Sequence, residues 1–310
     1  MRLILAASGL LGLAATAGAA QDPPPPPQQQ QQVVRRVAPP PVQVAGDCAA
    51  VPMRLVNNIP AVEVRIGGQG PFLFAIETGA GGHGRISRAL AERLGLQIVG
   101  EARTPAPGGT IETRPIYGAG PIAVGGITFS GAGLLAMPDL GGTPIGLDGI
   151  IGIDMLRPLT VTLDYAHGIA MLNRDPVTGG VPARFDNRIP SIPIEIAGHS
   201  FTVDLDTGNG VSGLFLEEAA ARALPLAGPP VERGRARTSF GEFAVMEAPL
   251  AAPVTIGGVR LPQATTVGWP PARGSGNLGS RALAGATLRL DGVHNRAEIA
   301  APAAAPACAG

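Results

Sequence analysis

The sequence predicts an all-β chain built as two similar lobes, and three observations predict it. Apolar residues alternate in short runs: Val62, Val64 and Ile66; Ile122 and Val124; Val161 and Leu163; Ile192, Ile194 and Ile196; Val254 and Ile256; Leu288 and Leu290. A period of two puts one face of a strand against a core. Next, 45 glycines and 32 prolines in 310 residues cut the chain into short segments, which suits antiparallel strands joined by turns. Finally, one order of features occurs twice along the chain.

Each half opens with an alternating strand and a glycine turn, Gly67-Gly68 in the first and Gly198 in the second. A second strand follows and ends in an acid-Thr-Gly triplet. Phe72-Leu73-Phe74-Ala75-Ile76 leads into Glu77-Thr78-Gly79, and Phe201-Thr202-Val203-Asp204-Leu205 leads into Asp206-Thr207-Gly208. A short helix comes next. In the first half Ser87 is placed to cap it, Leu90 and Leu94 share a face, and Gly95 stops it. In the second half Glu217 and Glu218 open it and Arg222 closes it, as the helix dipole favours. A Gly- and Arg-rich stretch then leads to a strand with a Gly-Gly turn, Gly125-Gly126 or Gly257-Gly258. Each half finishes with an element ending in Gly152 or Gly279, and a last strand carrying Asp164 or Asp291. Glu77 and Asp206 lie 129 residues apart, Gly125 and Gly257 132, Gly152 and Gly279 127, and Asp164 and Asp291 127. A chance triplet would not bring its neighbours along at a near-constant offset, so the chain reads as a duplicated lobe with its boundary between Pro176 and Ile189.

The ends read differently. Residues 1–20 have a secretory-signal pattern: Arg2, an apolar stretch Leu3 to Leu13, and the small residues Ala17-Gly18-Ala19. That stretch is too short and too rich in glycine and alanine for a stable membrane span. An exported chain, periplasmic or extracellular, follows from it, with retention as an anchor the alternative. Residues 21–45 read as a disordered linker, with the proline run Pro23 to Pro27, the glutamine run Gln28 to Gln32, and Pro39-Pro40-Pro41. Residues 46–180 are then the N-terminal lobe, 181–302 the C-terminal lobe and 303–310 a tail. Formal charge is zero, 15% of residues are charged and no lysine occurs. Nothing in that balance points to nucleic acid, and a phosphate-binding Gly-Lys-Ser/Thr loop is excluded. The two cysteines, Cys48 and Cys308, bracket the folded part. In an exported chain an even count permits a disulfide, whose long loop would stabilise by several kcal/mol; two unpaired thiols are the alternative.

These residues resemble the aspartic protease superfamily, in particular the retropepsin-like bacterial aspartyl proteases. The resemblance rests on Phe74-Ala75-Ile76-Glu77-Thr78-Gly79-Ala80, on Gly149-Ile150-Ile151-Gly152-Ile153-Asp154-Met155-Leu156, on Val203-Asp204-Leu205-Asp206-Thr207-Gly208, and on Gly276-Asn277-Leu278-Gly279. It covers roughly residues 55 to 300. It departs from the family pattern at Glu77, where an aspartate is usual, at Asn209, where a small residue is usual, and at Asn277, where an apolar one is. The resemblance implies two pseudo-symmetric β lobes around a central cleft, as in pepsin-like enzymes, so a monomer would form the site. It implies Asp206 and Glu77 as the catalytic pair acting on a peptide or protein substrate, without metal or organic cofactor. Thr78 and Thr207 would bond across the lobe interface, Gly79 and Gly208 would let the backbone approach the acids, and Gly152 and Gly279 would pack behind the two loops.

Two confined carboxylates share a proton rather than both ionising. One can then activate water while the other protonates the carbonyl. Glu77 reaches about 1.5 Å farther than aspartate, which leaves three readings: an active Glu/Asp pair, an impaired one, or an inactive protease-like module of the cell envelope that binds peptide or protein. Thr104 to Thr113, with Pro107-Gly108-Gly109, is the candidate flap over the cleft, an ordinary surface hairpin being the alternative. His83, His167, His199 and His294 form no metal-ligand spacing and read as turn or surface residues. Asp154, Asp164, Asp204 and Asp291 read as structural.

Overall fold

The computed structural model describes residues 40–105, 111–137, 146–186, 189–211, 213–238, 241–269 and 276–308. They belong to one compact unit. The signal segment and nearly all of the linker lie outside the described residues.

The repeat seen in the sequence is a repeat of structure. In the first lobe strands Ile59–Ile66 and Gln69–Glu77 are followed by the short strand Gly84–Ile86 and helix Arg88–Arg93. In the second, Ser191–Ile196 and His199–Asp206 are followed by Leu214–Phe215 and helix Glu218–Ala223. Each helix precedes a long hairpin, Gln97–Pro105 with Ile111–Gly118 in one lobe and Val231–Thr238 with Gly241–Pro249 in the other. The first helix starts as its sequence dictates: Ser87 Oγ accepts from Leu90 N at 3.2 Å, and Gly95 takes φ +65° just past the end. The second helix has no side-chain cap at Glu217 and carries an Arg222–Glu218 pair one turn apart, at 2.8 Å. The alternating residues named above are all buried in strands.

Six antiparallel strands at one end of a 16-stranded sheet join the lobes. Their order is Val181–Pro182, Arg296–Ala300, Thr287–Asp291, Thr160–Asp164, Ile169–Asn173 and Ala49–Val56. At its centre the last strand of one lobe pairs with that of the other, Thr160 opposite Asp291 and Asp164 opposite Thr287. Exchanging the lobes maps this pairing onto itself, so a pseudo-twofold axis passes between the two strands. Each aspartate braces the turn after its strand. Asp164 Oδ1 accepts from Ala166 N and His167 N while Oδ2 meets His167 Nδ1 at 2.8 Å, and Asp291 does the same with Val293 and His294. Asp291 also accepts from Val177 N in the connector between lobes. Burial alone would raise its pKa, but the bonds from His294 N, Val177 N and the His294 ring hold it below the usual range. His167, His294 and their aspartates are therefore structural pairs.

The linker boundary needs correction. Gln43–Ala45 is a strand paired with Ile127–Ser130, and Val42 is buried. The proline run before it suggested solvated chain, because prolines cannot donate to a ladder. Their carbonyls still accept, however, and Pro40 O meets His83 Nε2 at 2.9 Å. At the other end, the irregular residues 301–308 are tied back by a disulfide between Cys48 and Cys308.

Candidate active site

The two acid-Thr-Gly triplets meet between the lobes. Strand Gln69–Glu77 runs parallel to Gly149–Gly152 with Glu77 opposite Gly152, and His199–Asp206 runs parallel to Gly276–Gly279 with Asp206 opposite Gly279. Behind each loop the bonds repeat. Ile153 N donates to Ala80 O and Gly152 N to His83 O; Ser280 N donates to Asn209 O and Gly279 N to Gly213 O. A Cβ on Gly152 would strike the carbonyl oxygens of Gly82 and Ala80, so only glycine fits there.

Thr78 and Thr207 lock the triplets together. Thr78 N donates to Thr207 Oγ1 and Thr207 N to Thr78 Oγ1, both at 3.0 Å. Each hydroxyl then donates to the chain just ahead of the opposite acid: Thr78 Oγ1 to Leu205 O at 2.5 Å and Thr207 Oγ1 to Ile76 O at 2.6 Å. Both threonines are buried. Each bond satisfies a backbone group that water cannot reach, where an unmet partner costs about 1–3 kcal/mol.

The glycines cross over. A Cβ on Gly79 would collide with the carboxyl group of Asp206, and a Cβ on Gly208 with Cγ and Cδ of Glu77. Each lobe's glycine is thus the wall against which the other lobe's acid lies. The extra methylene of Glu77 is seated against Gly208.

The two acids have unlike partners. Asp206 Oδ1 accepts from Gly208 N at 3.0 Å and Oδ2 from Asn277 Nδ2 at 3.1 Å. Glu77 Oε2 lies 3.7 Å from Arg85 Nη1, an ion pair beyond hydrogen-bond length. The strand pairing shows a swap. In the first lobe Ile150 pairs with Arg85, whereas in the second Asn277 pairs with Phe215. The polar partner therefore comes from the outer strand in one lobe and from the strand ending in Gly279 in the other. Burial pushes the Glu77 carboxyl up to about 7, with Arg85 opposing and the Asp206 charge adding to the rise. Burial likewise raises Asp206, against hydrogen bonds from Asn277, Gly208 N and Asn209 N, with the Asp204 charge assisting the rise.

A stability prediction follows from Glu77. Its carboxyl titrates at about 7 when folded, against an ordinary 4.5. Folding is therefore unpenalised below about pH 4.5, and stability is lost as pH rises through 7. Glu77→Gln removes that loss, so the variant should be more stable than the parent by about 3 kcal/mol at pH 8 and equal to it at pH 4. Urea denaturation at the two pH values checks this; an equal difference at both would refute the buried, protonated glutamate.

His83, read as a turn residue, is instead buried. Its Nδ1 accepts from Gly133 N at 3.0 Å, which puts the ring proton on Nε2, facing Pro40 O. It braces the back of the first loop, where its carbonyl accepts from Gly152 N. Asp154 Oδ2 accepts from Gly82 N at 2.9 Å. The arms of the candidate flap form the hairpin Gln97–Pro105/Ile111–Gly118, while Pro107-Gly108-Gly109 lies outside the described residues. Two residues at the acids were not singled out as partners by sequence. Arg85 carries no local signal, and Asn277 had registered only as a departure from an apolar pattern.

One comparison with known proteins falls on the elements of the first acid loop. A family model described as aspartyl protease matches residues 62–155. That stretch includes Glu77, Thr78, Gly79 and Gly152. Among solved structures the chain is similar to the crystal structure of Basic 7S globulin from soybean, with 12% sequence identity and a TM-score of 0.47 over 83% of this chain and 95% of that one. No curated protein matches the chain.

Proposed function

We propose that the protein is an exported, monomeric aspartic-type endopeptidase that uses Glu77 and Asp206 as its acid pair. The observation that carries this reading is the reciprocal seating of each carboxyl group against the other lobe's glycine, held by the Thr78–Thr207 bonds. Two buried acids brought together in this way hold one proton between them over a range of pH. In the reaction, a water O–H bond breaks, its proton passes to Asp206 and its oxygen bonds to the peptide carbon. Glu77 gives its proton to the carbonyl oxygen, which leaves a gem-diol. On collapse the C–N bond breaks, Asp206 passes its proton to the leaving nitrogen, and Glu77 regains one from a diol hydroxyl. The environment of Glu77, with its carboxyl at about 7, suits the donor role.

The family match over residues 62–155 supports the reading. So does the conservative character of the change at Glu77, which keeps the charge and the adjoining Thr78-Gly79. One observation favours a second reading, a protease-like module that binds peptide without cutting it. Arg85 stands 3.7 Å from Glu77, and a cation there favours the ionised form that cannot donate.

Cleavage of a mixed peptide pool by the purified chain, followed by mass spectrometry from about pH 3 to 8, separates the two. The peptidase reading expects a bell-shaped profile that falls above about pH 7, with inhibition by a statine-type peptide. Binding of that inhibitor without cleavage at any pH selects the binding module.

A further inference from the structure

Two departures from the family pattern, Asn209 and Asn277, turn out to be one device. Val211 N donates to Asn209 Oδ1 at 3.2 Å. A backbone amide can only donate, so this bond fixes which way the Asn209 amide points. Asn209 Nδ2 then donates to Asn277 Oδ1 at 2.7 Å, which in turn fixes Asn277. The remaining donor, Asn277 Nδ2, faces Asp206 Oδ2 at 3.1 Å. The other oxygen of Asp206 meets Gly208 N. Both oxygens of Asp206 thus face N–H donors whose orientation is set from the backbone.

Among the described residues the first lobe has no such chain. Ala80 and Ile150 occupy the positions of Asn209 and Asn277, as the matching backbone bonds and strand registers show. Among the described residues no amide donates to the carboxyl group of Glu77. The charged groups facing Asp206 are Asp204 on its own strand and Glu77 across the interface, with Arg85 beyond Glu77. The strand ending in Gly279 offers Asn277, and on the strand Ser191–Ile196 the residue opposite Asp204 is Ser191. Asn277 is therefore the side chain beside Asp206 that donates to it from a neighbouring strand.

We propose that Asn277, oriented by Asn209, is a positioning residue that keeps Asp206 the proton-free member of the pair and so assigns the proton to Glu77. Its amide meets a carboxylate oxygen as a donor and offers nothing to a carboxylic O–H at that oxygen. The two acids accordingly have fixed roles rather than interchangeable ones. The inference deepens the peptidase reading and rests on it for its kinetic consequence, but not for its electrostatic one.

The test uses the full exported chain with Asn277→Ile, which copies the first lobe, and Asn209→Ala, which keeps Asn277 but frees its orientation. Carbon-13 NMR of aspartate carboxyls follows Asp206 directly, assigned by its absence in Asp206→Asn. Asn277→Ile should raise the Asp206 titration by about one pH unit, which corresponds to about 1.4 kcal/mol, and Asn209→Ala should raise it by less. In the active enzyme the acidic limb of the kcat/KM profile should move up by the same amount while the basic limb stays in place. An Asp206 titration unchanged in folded Asn277→Ile overturns the proposal. Should that variant not fold, an unchanged titration in Asn209→Ala overturns it instead. A parent chain that cleaves nothing defeats the peptidase reading alone, because the titration still decides the role of Asn277.

Discussion

Asp206→Asn should lower kcat for peptide cleavage by at least about a thousandfold. The substitution removes the carboxylate that the proposed mechanism uses to take the proton from water, and it does so without changing side-chain size. It also sets an amide N–H against a donor, because both oxygens of Asp206 already accept, one from Gly208 N and one from Asn277. The neutral side chain cannot satisfy both. Glu77→Asp should act in the same direction, by about a hundredfold. Shortening the side chain withdraws its carboxyl from the surface of Gly208, against which Cγ and Cδ now rest. Both effects are read as kcat against a peptide substrate near the pH optimum, with circular dichroism to confirm the fold. Residual activity in Asp206→Asn above a tenth of the parent would remove Asp206 from the chemistry. A gain in Glu77→Asp would show that Glu77 is a lapsed aspartate rather than a working one.

The largest expected effect on stability comes from the ends of the chain. The bridge between Cys48 and Cys308 spans 260 residues, and closing a loop of that length should remove about 5 kcal/mol worth of unfolded-state entropy. Domain stability is commonly about 5–15 kcal/mol, so loss of the bridge would be a large part of the total. Its C-terminal partner is lightly packed: residues 301–307 are irregular and mostly exposed. Little native contact is therefore at stake, and the effect should be carried by the unfolded chain. Cys48→Ser together with Cys308→Ser should lower the urea midpoint accordingly, with activity retained at low denaturant. A loss below about 1 kcal/mol would mean that the unfolded chain is not constrained in this way.

Most of the fold was legible because duplication supplies its own control. Two triplets, two Gly-ended elements and two final aspartates at near-constant offset cannot arise from composition, and each proved to occupy the matching place in its lobe. Ser87 and Gly95 were readable because a cap depends on neighbours in the chain. The strand Gln43–Ala45 was not, since Pro39-Pro40-Pro41 dominates the local pattern and the partner strand lies at Ile127–Ser130. Arg85 was invisible for a related reason. It reaches Glu77 across the intervening strand Gly149–Gly152, and a contact of that kind leaves no periodicity. Asn277 and Asn209 were seen, but as separate irregularities. Only the fold shows that they touch, and that their joint target is Asp206. His83 was misread because the glycines around it suggest an exposed turn, whereas its partners, Pro40 and Gly133, are distant in sequence.

The bridge from Cys48 to Cys308 also changes what kind of object the chain is. Apart from the strand Gln43–Ala45, both lobes lie between those residues, so residues 48–308 form a covalent ring. A single cut in the connector between lobes, or at either hairpin tip, opens the ring without releasing a fragment. The nicked molecule would be two chains joined by the disulfide, with its two acid loops still on one continuous covalent path. For a peptidase proposed to be exported and exposed to its own kind, one self-inflicted break would be invisible until the disulfide is reduced.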